Sequence, residues 1–281
     1  MTTTVDVRSK PGRIFIYRHT LPVRLSHWLN VICMSFLLLS GLQIFNAHPA
    51  LYWGKYGADY DPAFISIETV EDGNQLRGLT HIGALTLDTS GVLGVSQVDG
   101  IPDERAFPAW LTIPSYRDLS TGRRWHFFFA WIFVINGLIY LASGLFSRHF
   151  RRDLLPSTEE LGGRHLWSEI IDHARLRFPH GEGARRYNTL QKFAYLLVIF
   201  VLLPGMIATG LTMSPGFDAI APWLVDMFGG RQSARTLHFL CAISLVIFVV
   251  VHVAMVLLSG FINNLRSMIT GYYAIHPGDM K

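Results

Sequence analysis

Residues 237–262 read LHFLCAISLVIFVVVHVAMVLLSGFI, and this run indicates what kind of protein the chain forms. It holds no Asp, Glu, Lys or Arg, yet it contains two histidines, His238 and His252. An α-helix needs about 20 apolar residues to cross the hydrocarbon core of a membrane. The run is long enough to do so. An ionisable side chain inside such a helix indicates a functional site, because burying it in lipid costs free energy.

Three other stretches are also long enough to cross a membrane and contain no Asp, Glu, Lys or Arg, and they lie at about 25–45, 125–146 and 193–213. His27 lies at the start of the first stretch, and His126 at the start of the second. Half of the 281 residues are hydrophobic, so the sequence predicts an all-α membrane protein built as a four-helix transmembrane bundle. Pro204 and Gly205 predict a kink in the third span.

The segment 46–123 is predicted to be an extramembrane insertion, because its Gly, Pro and Asp residues make it a poor fifth span. Stretches at 83–91 and 92–98 within it suggest short strands or turns. Of the 24 Lys and Arg, 16 lie at the two ends of the chain and in the loop 147–191 with the adjacent Lys192. The positive-inside tendency therefore predicts cytoplasmic termini, a cytoplasmic loop and a periplasmic insertion, in a bacterial inner membrane.

The basic loop also carries an amphipathic pattern at residues 159–178. A helix with this pattern can lie in the plane of the membrane interface, with its apolar side chains in lipid. An ordinary solvated loop helix is the alternative, since basic cytoplasmic loops are common.

The four span histidines have a spacing that suits two haem groups. His238 and His252 are 14 residues apart, which on a helix puts both rings on one face, about 21 Å apart along the axis. Neutral imidazole is a standard axial ligand of haem iron. Because successive spans alternate in direction, His126 pairs with His238 at the outer level and His27 with His252 at the inner level. The sequence predicts two six-coordinate haems; packed or hydrogen-bonded interior histidines are the alternative.

Other cofactor and ligand classes fit the sequence poorly. The two cysteines, Cys33 and Cys241, both lie within spans, and no Cys-x-x-Cys-His motif or cysteine cluster occurs. Covalent c-type haem and iron–sulfur centres are therefore excluded. The net charge of +4 comes from basic residues placed between the spans, which does not indicate nucleic-acid binding.

Glycines in the spans provide room for a flat cofactor. Gly41 follows His27 by 14 residues, so it lies on the same helix face at the level of the other haem. A porphyrin that passes close to a helix requires a residue without a side chain. Gly137 and Gly144 could serve similarly in the second span. Close helix packing in lipid is the alternative for each glycine.

Three arginines precede the histidines by two or three residues, and these are Arg24, Arg124 and Arg235. A guanidinium at this position could pair with a haem propionate through charge-assisted hydrogen bonds. For each arginine alone we favour the alternative, an interfacial side chain that extends to the lipid headgroups.

The first span begins with LPVRLSHW at residues 21–28. This motif resembles the opening of the bacterial cytochrome b561 and nickel-hydrogenase cytochrome b family, which includes the cytochrome b subunits of formate dehydrogenase and thiosulfate reductase. The two histidines of the last span are similar to the family's haem-ligand pattern, and the resemblance covers all four spans. The stretch RRYNTLQK at residues 185–192 looks closest to the thiosulfate-reductase branch.

The resemblance implies a dihaem b-type cytochrome subunit. It would exchange electrons between membrane quinone and a peripheral oxidoreductase subunit, often periplasmic and commonly a molybdopterin enzyme. The quinone would bind near the cytoplasmic haem, where Tyr187, Asn188 and Gln191 could hydrogen-bond a quinone carbonyl. A polar helix start is the favoured alternative for these three residues. The insertion is longer than the hydrogenase-type subunits lead us to expect, and we predict that it forms an outer docking surface.

Two other functions remain open at this level. One is a stand-alone cytochrome b561-type oxidoreductase that links quinone to a small diffusible redox partner. A partner subunit that stays bound during purification would argue against this stand-alone function. The other is a transporter with a histidine proton relay, which predicts carboxylates or broken helices beside the histidines. The spans contain no Asp or Glu.

Overall fold

The computed structural model describes residues 7–10, 13–57, 61–148, 150–175 and 188–275. The described chain is mostly helical, and it contains four helices long and apolar enough to cross a membrane. They are α1 (Leu21–Phe45), α2 (Leu119–Phe146), the third span Thr189–Thr212, and α8 (Arg231–Leu258). The structure thus contains the four predicted helices of spanning length and composition, whereas the placement of the intervening segment outside the membrane stays a prediction.

Two of these helices begin about six residues earlier than the sequence predicts. The start of α2 is stabilised by Asp118, whose carboxylate accepts hydrogen bonds from the backbone N–H of Thr121 at 3.0 Å and from its hydroxyl at 2.6 Å. An apolar pattern ends at the first charged side chain, but a helix continues through polar residues to its cap. The start of α8 at Arg231 has the same explanation.

The third span is irregular next to Pro204. It consists of α4 (Thr189–Leu197), a π-helical turn (Val198–Leu202) and α5 (Leu203–Thr212). Two short helices, α6 (Pro215–Ile220) and α7 (Pro222–Met227), follow it before α8. Proline has no N–H, and its ring collides with the carbonyl four residues earlier. The predicted disturbance therefore takes the form of a wider π turn directly before the proline.

The insertion is rich in β-structure, so the prediction of an all-α protein holds for the spans but not for this segment. A four-stranded antiparallel sheet runs in the order β3-β4-β5-β6, and β7 pairs with β8 in a hairpin. The strands are β3 (Ala50–Leu51), β4 (Ile65–Asp72), β5 (Gln75–Ile82), β6 (Leu85–Asp88), β7 (Gly94–Val98) and β8 (Ile101–Arg105).

A two-residue turn at Asp99-Gly100 joins β7 to β8, with φ of 51° and 80°. Positive φ at both turn positions matches the right-handed twist of a hairpin. Gly78 of β5 allows the close approach of this hairpin, because a Cβ there would lie 2.0 Å from the carbonyl oxygen of Leu93.

The beginning of the insertion is attached to the beginning of α8. The hydroxyl of Thr236 donates to the carbonyl of Tyr52 at 2.6 Å, and the N–H of Gly54 donates to the hydroxyl of Ser233 at 2.7 Å. Phe45, at the end of α1, belongs to the hydrophobic core of the insertion. These contacts connect the insertion to the helix turn that precedes His238.

The chain divides into two compact units. One consists of residues 30–135 and 204–243, and it contains the insertion together with His126 and His238. The other consists of the remaining residues, and it contains His27 and His252.

In the second unit, both ends of the chain join one small sheet in the order β1-β2-β9. Its strands are β1 (Val7–Lys10), β2 (Arg13–Tyr17) and β9 (Tyr272–Ile275). The helix α9 (Phe261–Thr270) leads into β9. The guanidinium of Arg18, the residue that follows β2, lies 4.9 Å from the centre of the Tyr273 ring, which adds a cation–π contact to β9.

The amphipathic helix predicted at 159–178 forms over a shorter range as α3 (Gly163–Ala174). Residues 176–178 of the predicted range lie outside the described residues. Trp167 and Ile170 are exposed on α3, as expected of an interfacial helix. Its position at the membrane surface stays a prediction.

The start of the third span is held by a partly buried ion pair. The Lys192 ammonium donates to both carboxylate oxygens of Glu160 at 2.8 Å, and only 9% of the Lys192 side chain is exposed. The carboxylate of Glu169 accepts further hydrogen bonds from the backbone N–H groups of Thr189 and Leu190. Negative charge at a helix N-terminus is stabilising, because the first N–H groups there lack partners within the helix.

We expect Glu160→Gln to lower the free energy of unfolding by about 1–2 kcal/mol, since it removes the counter-charge of Lys192 from a pair that is only partly buried. Thermal unfolding of the purified protein in detergent measures this loss. Glu159→Gln, at the exposed neighbouring position, is the control and should leave the transition unchanged. Equal transitions for the two variants would contradict the assignment.

The same ion pair predicts a direction for the dependence of stability on pH. The hydrogen bond from Lys192 lowers the pKa of Glu160 below its ordinary 4.5. A lowered pKa in the folded state contributes stability above the ordinary pKa, and this contribution is lost as the pH falls through the lowered value. Wild-type protein should therefore lose more stability on acidification than Glu160→Gln.

Candidate functional site

The structure brings the four span histidines together in two pairs. The ring centroids of His126 and His238 are 6.3 Å apart, and those of His27 and His252 are 6.4 Å apart. These are the same partners that the alternating helix directions predict. Each pair belongs to one compact unit.

The separation within each pair fits two imidazoles that bind one metal ion from opposite sides. Because a bond from a metal to an imidazole nitrogen is about 2 Å, two such ligands place their ring centroids about 6 Å apart. The described residues contain no group of three or more His, Cys, Asp or Glu that could hold a metal ion. Each pair would hold a haem through its two imidazole nitrogens, because the porphyrin of a haem supplies the remaining iron ligands itself.

The imidazole of His126 is fixed by the end of α1. Its Nδ1 lies 3.1 Å from the hydroxyl oxygen of Ser40 and also hydrogen-bonds the backbone of Leu37. The hydroxyl of Ser40 donates its own hydrogen to the carbonyl of Phe36 at 2.5 Å, so its oxygen accepts from Nδ1. A carbonyl can only accept. The proton of His126 is therefore on Nδ1, and Nε2 is left free to bind a metal.

The imidazole of His238 is held in the same way by α5. Its Nδ1 lies 3.1 Å from the carbonyl oxygen of Met206 and 3.1 Å from the hydroxyl oxygen of Thr209. The Thr209 hydroxyl donates to the carbonyl of Gly205 at 2.6 Å. In both cases the hydroxyl residue donates to the carbonyl four positions before it, and the carbonyl three positions before it accepts from the histidine. The two rings of this pair thus have matching supports on different helices.

A glycine follows each hydroxyl residue, and it makes room for the histidine ring. A Cβ on Gly41 would lie 3.4 Å from Cε1 and 3.7 Å from Nδ1 of His126. A Cβ on Gly210 would lie at the same two distances from His238. Gly41 therefore lies beside the ring of His126, and its predicted role in making room for a porphyrin stays a prediction.

The other glycines predicted to face a cofactor have different surroundings. A Cβ on Gly144 would lie 2.4 Å from the ring of Phe150, so this glycine makes room for a side chain of the protein. A Cβ on Gly137 would meet nothing within 4 Å.

The sequence analysis missed Ser40, Thr209 and Gly210. The signal that could have revealed them is a repeated motif, Ser-Gly-Leu at 40–42 in the first span and Thr-Gly-Leu at 209–211 in the third. Serine and threonine in a helix usually bond their own backbone, as both of these do. The motif alone therefore does not indicate the additional bond to a histidine.

The His27–His252 pair has a different environment. The Nδ1 atom of His27 is buried and has no hydrogen-bond partner among the described residues. The ring of His252 stacks on Phe248 at a centroid distance of 5.9 Å. The side-chain amide of Asn136 donates to the carbonyl of Ser26 at 3.1 Å, which attaches α2 to the residue before His27.

His19 lies just before α1, and its side chain is half-buried. Burial lowers its pKa to about 4, and the nearby positive charge of Arg18 contributes. The His19 imidazole is therefore neutral at physiological pH.

The three arginines predicted to pair with propionates differ in their contacts. The guanidinium of Arg24 donates to the carbonyl of Ile269, and its buried Nε has no partner among the described residues. Arg124 is exposed and lies 3.4 Å from the hydroxyl of Ser120. Both terminal nitrogens of Arg235 donate to carbonyls at the start of the insertion, those of His48 and Ala50. Arg235 thus anchors the insertion, and Arg24 has the most capacity for another partner.

Two of the residues proposed for quinone form the start of a helix. Asn188 caps α4: its side chain accepts from the backbone N–H of Gln191 at 2.8 Å, and the Gln191 side chain accepts from the backbone N–H of Asn188 at 3.4 Å. This reciprocal capping box favours the polar helix start over a ligand site. Tyr187 lies outside the described residues.

Comparison with known proteins identifies relatives over most of the chain. The profile of the family described as prokaryotic cytochrome b561 matches residues 18–271. A protein from Azospira oryzae, with the provisional name protein-methionine-sulfoxide reductase subunit YedZ1, is 28% identical over 254 residues, which are 89% of this chain and 94% of that protein. A protein from Cupriavidus necator, provisionally named Ni/Fe-hydrogenase B-type cytochrome subunit, is 29% identical over 162 residues, which are 52% of this chain and 65% of that protein. No solved structure matches significantly.

Proposed function

The chain belongs to the prokaryotic cytochrome b561 family, and from this premise we propose that it is a dihaem cytochrome b subunit that carries electrons between a partner oxidoreductase and membrane quinone. The family resemblance predicted from residues 21–28 is thereby confirmed. Assignment to the thiosulfate-reductase branch stays a prediction. The observation that best supports two haems is the pairing of the four span histidines at 6.3 and 6.4 Å.

In this proposal each histidine pair holds one iron. Haem b, when bound, supplies the one-electron redox chemistry. The protein supplies the axial nitrogens, fixes which nitrogen carries the proton, and excludes water with apolar helix faces. His126 and His238 would hold the outer haem, and His27 and His252 the inner one. Arg24 and Arg124 would be available to the propionates, because neither is engaged by two carbonyls as Arg235 is.

A partner oxidoreductase is supported by the relatives, because both are named as subunits, one of a reductase and the other of a hydrogenase. We propose that the partner docks on the insertion 46–123 at the periplasmic side, with both termini in the cytoplasm. The support within the chain is the attachment of the insertion to Ser233 and Thr236, next to His238. The same proposal includes a molybdopterin enzyme as the partner.

The quinone is proposed to bind near the inner haem, on the analogy of the family. The capping box at Asn188 and Gln191 satisfies these side chains without a ligand. Tyr187 remains a candidate from its sequence position alone.

An optical spectrum of the purified protein tests the proposal. We expect reduced b-type bands and a haem-to-polypeptide ratio of about two, because each histidine pair provides both axial ligands for one haem. A correctly inserted preparation that contains no haem would contradict the proposal. Co-purification of a large cofactor-bearing subunit from the native membrane would support the subunit role over a stand-alone oxidoreductase.

A further inference from the structure

The two histidine pairs differ in what binds their Nδ1 atoms. In the His126–His238 pair, each Nδ1 has both a backbone and a hydroxyl partner on another helix. In the other pair, Nδ1 of His27 is buried without a hydrogen-bond partner among the residues that the structure describes. The family likeness does not explain this difference.

The hydroxyl groups are arranged as acceptors for the histidines. Ser40 and Thr209 each have one hydroxyl hydrogen, and each donates it to the carbonyl four residues earlier in its own helix. The oxygen lone pairs therefore point away from that bond and can accept from Nδ1. Both residues are almost fully buried, with 0% and 1% exposure, so water does not compete for the contact.

A hydrogen bond donated by Nδ1 changes the properties of a metal-bound imidazole. It makes the ring a stronger electron donor and fixes its orientation. A stronger donor favours the more positive ferric iron over the ferrous iron, and second-shell hydrogen bonding is one of the ways in which a protein sets a haem potential.

We propose that Ser40 and Thr209 are a matched pair of positioning residues that fix the rings of His126 and His238 and lower the reduction potential of the haem held there. This inference rests on the proposed function, since it requires a haem between these two histidines. The glycine that follows each hydroxyl residue belongs to the same arrangement, because it admits the ring to within contact of the helix.

A redox titration followed optically tests the proposal on purified Ser40→Ala and Thr209→Val. In each variant we expect the midpoint potential of one haem to rise while that of the other stays unchanged. At a fixed ambient potential near the midpoint, the ratio of reduced to oxidised haem at that site should rise several-fold. The electron paramagnetic resonance signal of the same haem should also change, because its shape depends on the angle between the two imidazole planes, which is 59° in this pair.

Conservative variants and a matched control distinguish the positioning role of the two hydroxyl groups from a general loosening of helix packing. Thr209→Ser and Ser40→Thr keep the hydroxyl and should retain the wild-type potentials. Thr209 shows that a threonine hydroxyl can also lie beside the Nδ1 atom of a histidine. Ser35→Ala removes a hydroxyl of α1 whose one hydrogen bond within the described part of the chain is to the Val31 carbonyl of its own helix, at 2.8 Å, and it should change neither potential.

The results of these measurements distinguish a failure of the positioning role from a failure of the proposed function. Two bound haems with unchanged potentials and unchanged resonance signals in both hydroxyl-free variants would overturn the inference alone. Equal shifts of both haems would overturn it as well. If Ser40→Ala loses one haem, retention of that haem in Ser40→Thr supports the positioning role of the hydroxyl. Loss of that haem from both variants overturns the positioning role. Wild-type protein without haem would refute the proposed function instead.

Discussion

Replacing His238 with alanine is expected to lower the haem-to-polypeptide ratio from about two to about one, because a haem that depends on two axial imidazoles is lost when one is removed. The remaining haem should be the one held by His27 and His252, whose rings lie in the other compact unit. Haem extraction and the optical spectrum of the purified variant measure both quantities. His252→Ala should produce the complementary loss and spare the haem on His126 and His238.

A histidine outside the pairs provides the control. His81 lies on β5, where its Nε2 is 2.8 Å from Glu68 and its Nδ1 is 2.9 Å from Thr86. His81→Ala should keep both haems. Loss of both haems from His238→Ala, with membrane insertion intact, would contradict the assignment of the histidines to separate haems.

Replacing Gly41 or Gly210 with valine is expected to weaken binding of the haem on His126 and His238 by about tenfold or more. Forcing extra methyl groups into a packed site costs about 1–3 kcal/mol. A Cβ at either position already lies 3.4 Å from the histidine ring, and the branched side chain of valine would displace that ring. Haem content after dilution and washing in detergent measures the loss.

Gly137→Val is the matched control, because it places the same side chain in the span that carries His126. A Cβ at Gly137 has no neighbour within 4 Å, and the position belongs to the unit of His27 and His252. The haem on His126 and His238 should therefore be retained. Equal loss of that haem from all three variants would show that valine harms the spans in general.

The histidine pairs could be predicted from sequence because they depend only on helix periodicity and alternating direction. His238 and His252 lie on one helix, so their spacing fixes their relative depth. The supports of the rings could not be predicted. Ser40 and Thr209 bond their own helices, and only the packing of two helices shows which residue of each lies beside a histidine.

The pairing of the strands in the insertion could not be predicted from the sequence pattern either. Its strand β6 lies within the stretch 83–91 and β7 within 92–98, where strands or turns were suggested. Their partners depend on pairing between separate segments, which a local pattern does not specify. The Asp99-Gly100 turn is a strong local hairpin signal that identifies one of these pairings.

Arg235 illustrates the same limit at a single residue. Its position three residues before His238 suggested a propionate partner, whereas the structure gives it the carbonyls of His48 and Ala50. Those carbonyls are far away in the sequence. A short-range rule about arginines at helix ends cannot take them into account.

The attachment of the insertion to the start of α8 restricts how this protein can change in evolution. A surface excursion of this length is usually replaceable by a short linker, with little effect on the helices it joins. Here its excision would leave the donor groups of Arg235 and Thr236, which lie next to His238 in the chain, without the acceptors that the insertion provides. A lineage that shortens the insertion would therefore have to change the first residues of α8 at the same time.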